Sequence, residues 1–132
     1  MKIPTADIAS RFKAAFGNKL TDKPSELKAL GETTYGHAAA VLGVLRPTDT
    51  EMVQDAVRLA QQHGAVLAPI SRGKNWGWGS CAPHVGGVIL IDLSNMRQII
   101  DYSDELGYIT VQPGVSISDV VNFLDERKSK RI

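Results

Sequence analysis

The segment Pro69–Gly79 has the sequence Pro-Ile-Ser-Arg-Gly-Lys-Asn-Trp-Gly-Trp-Gly and lies between two apolar stretches, Ala65–Ala68 and Gly87–Ile91. The apolar stretches predict buried strands, and the polar, glycine-rich segment predicts a loop between them. Glycine permits positive φ and close approach of a ligand to the main chain, so several backbone N–H groups can converge on one anion. Arg72 and Lys74 add positive charge beside those groups.

Spacing alone leaves the role of this loop open. It is neither G-x-G-x-x-G nor G-x-x-x-x-G-K-[ST], so a surface loop and a phosphate cradle are equally good interpretations. Its length and its two tryptophans, Trp76 and Trp78, favour a binding loop, because long loops in compact domains are usually functional or disordered. The tryptophans either stack on a ligand ring or pack the loop onto the core.

The flanking residues predict an α/β fold, a small sheet with flanking helices. A capping box at Thr48 and Glu51 predicts the start of one helix, and Gly64 suits its end. Apolar periodicity predicts helices over Ala6–Phe16, Ser25–Leu30, Thr48–Gln62 and Ser116–Arg127. Apolar runs and turn residues predict strands over Ala38–Leu45, Val66–Pro69, Val88–Asp92, Ile99–Tyr102 and Tyr108–Gln112.

Composition argues against several classes of protein. The 132 residues, 43% hydrophobic and 22% charged, are typical of one globular domain with a real core. A formal net charge of +1 gives no support for a nucleic-acid partner, and no apolar run is long enough for a membrane span. The single cysteine, Cys81, excludes an internal disulfide, and the N-terminus lacks a signal-peptide core, so we expect a cytoplasmic protein.

Catalytic and metal-binding patterns are sparse. The three histidines have no partner at helical spacing, and no Cys/His cluster has the spacing of a metal site, so no metal is predicted. His84 follows the glycine loop, but a structural role is the better interpretation. Cys81 is interpreted as a small packed side chain. We therefore predict no catalytic residue.

Four pieces of the chain occur in a characteristic order: Arg46-Pro47 followed by Thr48–Glu51, the Pro69–Gly79 loop continuing through Ala82-Pro83, Val88–Met96, and Val111–Val115 with Asp119. Together they resemble the FAD-binding domain of the vanillyl-alcohol oxidase and p-cresol methylhydroxylase family. The resemblance covers most of this chain but only a small part of a family enzyme. It implies the first subdomain of a PCMH-type FAD-binding domain. Residues 1–36 would then be an N-terminal helical segment, and residues 37–132 a partial FAD-binding domain truncated at its C-terminus.

The resemblance also implies the cofactor and its contacts. In the family the loop wraps the flavin pyrophosphate through backbone N–H groups, and the turn after the last strand lies beside the cofactor. In sister families the position of Asn75 carries a histidine bonded covalently to the flavin. A carboxamide cannot make that bond, so we expect non-covalent FAD. The expected cofactor-binding residues are Pro69, Ile70, Ser71, Arg72, Gly73, Lys74, Asn75, Trp76, Gly77, Trp78, Pro113 and Gly114.

Two functions follow from these patterns. The first is an FAD-binding subdomain of a flavin-dependent oxidoreductase, inactive by itself, in the branch that acts on phenolic (4-hydroxybenzylic) substrates. The alternative is a non-catalytic truncated α/β module that oligomerises and binds no flavin. The expected partners are FAD, the remainder of the enzyme on another chain, and further copies of this chain. Self-association is expected because Ala65–Ala68 and Val88–Ile91 are apolar enough for burial on both faces, and missing neighbours would leave an apolar face or edge.

Overall fold

The computed structural model describes residues 5–33, 36, 38–73 and 81–129. Single turns of 3-10 helix at Gly17–Lys19 and Leu93–Asn95 separate some of its elements. The helices are α1 (Thr5–Phe16), α2 (Pro24–Gly31), α3 (Thr50–His63) and α4 (Ile117–Glu126). The strands are β1 (Leu20–Thr21), β2 (Val41–Leu45), β3 (Val66–Ile70), β4 (Val88–Asp92), β5 (Ile99–Ser103) and β6 (Tyr108–Val111). The predicted α/β class is confirmed.

Four strands form the main sheet in the order β1-β2-β4-β3. Strands β2, β4 and β3 are parallel, and β1 is antiparallel to β2. Strand β4 is central, and Val88, Ile89 and Leu90 have no exposed surface. Strand β3 lies at the edge, where Val66 is 50% exposed. Burial on both faces is therefore confirmed for β4 and wrong for β3, because Val66 is exposed and Leu67 and Ala68 are only partly buried.

Helices cover both faces of this sheet, since side chains alternate in direction along each strand. Ile89 and Ile91 of β4 pack in one cluster with Phe12 of α1 and Ala56 of α3. Leu90 and its neighbours form a second cluster on the opposite face, against which the apolar side chains of α2 pack. The amino-terminal segment therefore shares the core of the sheet, and a domain boundary near residue 36 stays a prediction.

The start of α3 differs from the predicted capping box. The N-cap is Asp49, which has extended backbone and accepts a hydrogen bond of 2.8 Å from the N–H of Met52 through Oδ1. Thr48 instead donates its hydroxyl to Asp49 Oδ2 at 3.0 Å. The Met52 N–H and then the Thr48 hydroxyl lower the pKa of Asp49. At the other end Gly64 has φ 63° and caps the helix, as its position in the sequence predicts.

Strands β5 and β6 form a separate antiparallel hairpin against which α4 packs. The Tyr102 and Phe123 rings meet edge to face, with centroids 5.4 Å apart and an interplanar angle of 82°. The Arg127 guanidinium lies 3.7 Å from the centroid of the same Phe123 ring. Hairpin and helix therefore form a second unit beside the main sheet, which we call the hairpin–helix unit (β5, β6 and α4).

Candidate functional site

An open cavity of about 820 Å³ lies between the main sheet and the hairpin–helix unit. One wall is Pro69–Gly73, the end of β3 and the residues that follow it, and the other is Val115–Asp119 at the start of α4. In open α/β sheets, ligands bind beyond the carboxyl ends of the strands. This cavity lies at the carboxyl end of β3. The volume suits a small organic molecule.

Five of the twelve predicted site residues, Pro69–Gly73, line this cavity. Pro113 and Gly114 lie beside it, because their carbonyl groups contact the first wall. The other five predicted residues, at 74–78, lie outside the described residues. The start of α4 was missed as a cavity wall, although its cap was predicted from Ser116.

Ser71 joins the two walls through its side chain. Its hydroxyl donates a hydrogen bond of 2.7 Å to the carbonyl oxygen of Pro113. A hydroxyl carries one proton, so this bond uses the only one that Ser71 has. The side chain of Ser71 therefore connects parts of the protein here, and its contact with FAD stays a prediction.

Arg72 makes a second connection between the walls. Its Nη1 donates to Asp119 Oδ2 at 3.2 Å and more weakly to the Gly114 carbonyl oxygen at 3.4 Å. Asp119 Oδ2 also accepts from the N–H of Ser116 at 2.8 Å and from its hydroxyl at 2.7 Å. These bonds from Ser116, with a smaller contribution from the Arg72 charge, lower the pKa of Asp119. Asp119 is therefore a fixed carboxylate at the cavity rim.

Gly114 is a glycine because other backbone groups crowd it. Its N–H donates to the Met96 carbonyl at 2.8 Å. A Cβ at this position would lie 2.6 Å from the carbonyl oxygens of Leu93 and Met96 and 2.8 Å from that of Ser94. Packing thus accounts for this glycine, and approach of the cofactor to Gly114 stays a prediction.

Gly73 is constrained by its own backbone and by Cys81. Its φ is +64°, and a Cβ there would overlap the Cys81 sulfur. Burial, with a contribution from the charge of Asp92, raises the pKa of the Cys81 thiol, so Cys81 is not activated as a thiolate nucleophile. Its side chain fills space beside Gly73, in agreement with its interpretation as a packed side chain.

Arg46 links α2 to the end of β4 beside the site, a role that the sequence did not predict. Its Nη2 donates to Glu26 Oε1 at 2.5 Å, and its Nε donates to Asp92 Oδ2 at 3.1 Å. The other Asp92 oxygen accepts from the N–H of Ser94, in the turn that packs against Gly114. The hydrogen bond from Arg46 lowers the pKa of Glu26. The sequence signal for this role was a charged residue, Arg46, directly after the apolar strand β2.

The described part of the chain has groups that suit an anionic ligand but no set of side chains that suits a metal ion. It holds no group of His, Cys, Asp and Glu side chains able to bind a metal ion. None of the helices in these same ranges has the length and apolar character to cross a membrane. The cavity wall instead carries a guanidinium and a helix N-terminus, both of which suit an anionic ligand.

Comparison with known proteins identifies the family. Residues 41–130 match the family described as "FAD binding domain". The matched residues include the central strands, both cavity walls and α4. The chain belongs to this family of FAD-binding domains, and FAD is its cofactor.

Three similar proteins illustrate the relationship. The chain is 32% identical over 128 residues to 1'-carboxy-chondrochloren decarboxylase of Chondromyces crocatus, an alignment that covers 96% of this chain and 24% of that protein. It is 34% identical over 89 residues to the 4-cresol dehydrogenase [hydroxylating] flavoprotein subunit of Pseudomonas putida, an alignment that covers 67% of this chain and 17% of that protein. The crystal structure of p-cresol methylhydroxylase with substrate bound superimposes with a TM-score of 0.82 at 27% identity, covering 93% of this chain and 25% of that one.

This chain therefore spans about a quarter or less of the length of the relatives it matches. The match to p-cresol methylhydroxylase extends over the sheet and the hairpin–helix unit together, since 93% of the chain is covered. The predicted resemblance to the vanillyl-alcohol oxidase and p-cresol methylhydroxylase family is confirmed.

Proposed function

We propose that the cavity holds the diphosphate of FAD between Pro69–Gly73 and the start of α4. The observation that carries this proposal is the position of Arg72. Among the described residues, only Asp119 and Gly114 accept hydrogen bonds from Arg72, both from Nη1, and we propose that its Nε and Nη2 donate to the ligand. These two nitrogens form the edge of guanidinium that pairs with two phosphate oxygens at once.

The start of α4 supports the same proposal. The first N–H groups of a helix have no acceptor within the helix, and Ser116 caps only that of Asp119. Ile117 and Ser118 line the cavity at the positive end of the helix dipole, and no described residue accepts from their N–H groups, so we propose that these donate to the ligand. The negative charge of Asp119 at this terminus is offset by Arg72. The available donors therefore fit a diphosphate group.

We further propose that the enzyme to which this domain belongs is an oxidoreductase of phenolic substrates. Two of the similar proteins named above, a 4-cresol dehydrogenase subunit and p-cresol methylhydroxylase, are named after the same phenol, since 4-cresol and p-cresol are one compound, and this supports the substrate class. Bound flavin would supply the redox chemistry of such an enzyme, the acceptance of a hydride from a substrate carbon. The role proposed for these residues is to bind and orient the cofactor. The family match favours this function over a module that binds no flavin.

Two related proposals concern the rest of the enzyme. Because the chain spans about a quarter or less of the length of these relatives, we propose that further polypeptide supplies the substrate pocket. This chain alone is then inactive towards phenolic substrates. A cytoplasmic location is also proposed, on the single, reduced Cys81.

A titration of the isotope-labelled chain with ADP, followed by amide NMR shifts, tests the diphosphate site. We expect the largest shifts at the N–H groups of Ser71–Gly73 and of Ile117 and Ser118. Adenosine, which has no phosphate, is the matched ligand and should leave these groups unchanged. Shifts confined to α1 and α2, or equal shifts with adenosine, would exclude this cavity as the diphosphate site.

Direct observation of ligand contacts is preferable to replacing Gly73. Gly73→Val should weaken FAD binding, but the new side chain would overlap the Cys81 sulfur and strain a residue with φ +64°. A loss of FAD binding would then be explained equally well by local distortion of the backbone and by loss of contacts with the phosphate. The amide shifts avoid this ambiguity because they use the unmodified chain.

A further inference from the structure

In the described part of the chain, the Arg72 guanidinium is held through one of its nitrogens. Nη1 is held by Asp119 at 3.2 Å and by the Gly114 carbonyl at 3.4 Å. The arginine is 27% exposed, so its side chain is partly enclosed at the cavity wall. These contacts orient the guanidinium through Nη1, and its Nε/Nη2 edge has no hydrogen-bond acceptor among the described residues.

We propose that Asp119 is a positioning residue, which holds Arg72 so that its free edge meets the diphosphate of FAD. This inference rests on the diphosphate site proposed above. It assigns to Asp119 a role in cofactor affinity beyond the helix cap. A guanidinium that is oriented in advance loses less side-chain entropy when it forms its two bonds to phosphate.

The carboxylate of Asp119 is well suited to this role because the helix cap already immobilises it. Independently of Arg72, the Oδ2 atom of Asp119 accepts hydrogen bonds from the N–H and the hydroxyl of Ser116, at 2.8 and 2.7 Å. If the carboxylate is removed, Arg72 keeps only the 3.4 Å contact with the Gly114 carbonyl, which is too long to fix an orientation.

A second effect of Asp119 has the opposite sign. A negative charge beside an anion site repels phosphate, so neutralising it would tighten binding if repulsion were dominant. The Asp119 side chain is 46% exposed, and solvent and salt screen charges at such positions. Asp119 is also paired with Arg72 at 3.2 Å. We therefore expect the positioning effect to exceed the repulsion.

A double-mutant cycle separates these effects. Asp119→Asn keeps an amide oxygen to cap α4 and loses the charge that holds Arg72. We expect this variant to bind ADP about 3- to 10-fold more weakly than the original chain, measured by calorimetry. In the Arg72→Gln background the same change should leave ADP affinity unchanged or raise it, because no guanidinium remains to be positioned. Asp125→Asn, on the exposed side of α4, is the control for a lost negative charge.

The outcomes distinguish this inference from the proposed site. Tighter ADP binding by Asp119→Asn, or an equal loss in both backgrounds, would overturn the positioning role while the amide shifts still support the diphosphate site. An equal loss would mean that Asp119 acts through the helix cap alone. If the unmodified chain shows no ADP-dependent shifts at the cavity, the site and the positioning role both fail.

Discussion

The hydroxyl of Ser71 donates a hydrogen bond of 2.7 Å to the carbonyl oxygen of Pro113, 42 residues further along the chain. This bond joins the edge of the main sheet to the hairpin–helix unit, which shares no strand pairing with it. Arg72 repeats the connection through Gly114 and Asp119. Side-chain contacts of Ser71 and Arg72 therefore connect the two cavity walls directly.

Ser71→Ala should weaken ADP binding while leaving the fold intact. A net hydrogen bond contributes about 1 kcal/mol, so we expect affinity to fall by about 5-fold as the walls become less well fixed. Ser25→Ala is a matched control, because Ser25 is an exposed serine of α2 that does not line the cavity. Calorimetry on both variants checks this, and equal losses of affinity would contradict the linking role of Ser71.

Gly114→Ala should strongly destabilise the chain. The new methyl group would lie 2.6 to 2.8 Å from three carbonyl oxygens of the turn after β4, and backbone cannot move aside cheaply. We expect a loss of about 3 kcal/mol in the free energy of unfolding, measured with urea. Gly43→Ala is the control, since its methyl group meets only the ends of the Leu20 and Ile89 side chains at 3.3 to 3.4 Å. Equal losses at both positions would refute the backbone-crowding explanation.

The pair of Arg46 and Glu26 should make stability depend on pH in acid. The hydrogen bond from Arg46 lowers the pKa of Glu26 in the folded chain below its ordinary value of 4.5. The stabilisation is therefore complete above pH 4.5 and is lost as the pH falls through the folded pKa. Glu26→Gln should cost about 1 kcal/mol at pH 7, and this difference should shrink below pH 4.5.

Thermal unfolding between pH 3 and pH 7 measures this effect. Glu126→Gln is the matched control, because Glu126 is an exposed carboxylate near the end of α4. We expect it to change the melting temperature by much less than Glu26→Gln does at pH 7. A difference between Glu26→Gln and the original chain that does not vary with pH would show that the charge of Glu26 is not responsible.

Local patterns in the sequence predicted some parts of this structure and could not predict others. The position of Gly64 and the central strand β4 followed from glycine geometry and from an unbroken apolar run. The edge position of β3 did not, because strand order depends on tertiary contacts that an apolar run cannot specify. The cap moved to Asp49 because Thr48, Asp49 and Glu51 all offer oxygen atoms, and only the backbone conformation selects between them.

The same distinction applies to the candidate site. Glycine spacing and family resemblance identified the wall formed by Pro69–Gly73, which is continuous in sequence. The opposite wall was recognised only as a helix start, because the capping box at Ser116 describes local structure. The ion pair of Arg72 with Asp119 joins residues 47 positions apart, and no local pattern predicts such a pairing.

Flavin bound to this chain should be released by denaturation. The prediction depends on Asn75, which lies outside the described residues and whose carboxamide is not a nucleophile. After the chain is saturated with FAD and precipitated with acid, we expect the yellow colour in the supernatant and none in the pellet. Chain mixed with FAD only after precipitation controls for trapped cofactor. Flavin fluorescence that stays with the washed pellet would contradict non-covalent binding.

The outer edge of β3 is the place where we expect two copies of the chain to associate. No described strand pairs with that edge, and Val66 on it is 50% exposed. Open edges pair with other strands, and a lysine there opposes pairing because it must stay hydrated. We expect sedimentation at micromolar concentration to show a dimer for the original chain and a monomer for Val66→Lys. Val57→Lys is the matched control, since Val57 is 42% exposed but lies on α3, and it should remain dimeric. A monomeric original chain would exclude self-association, and a dimeric Val66→Lys would exclude the β3 edge as its interface.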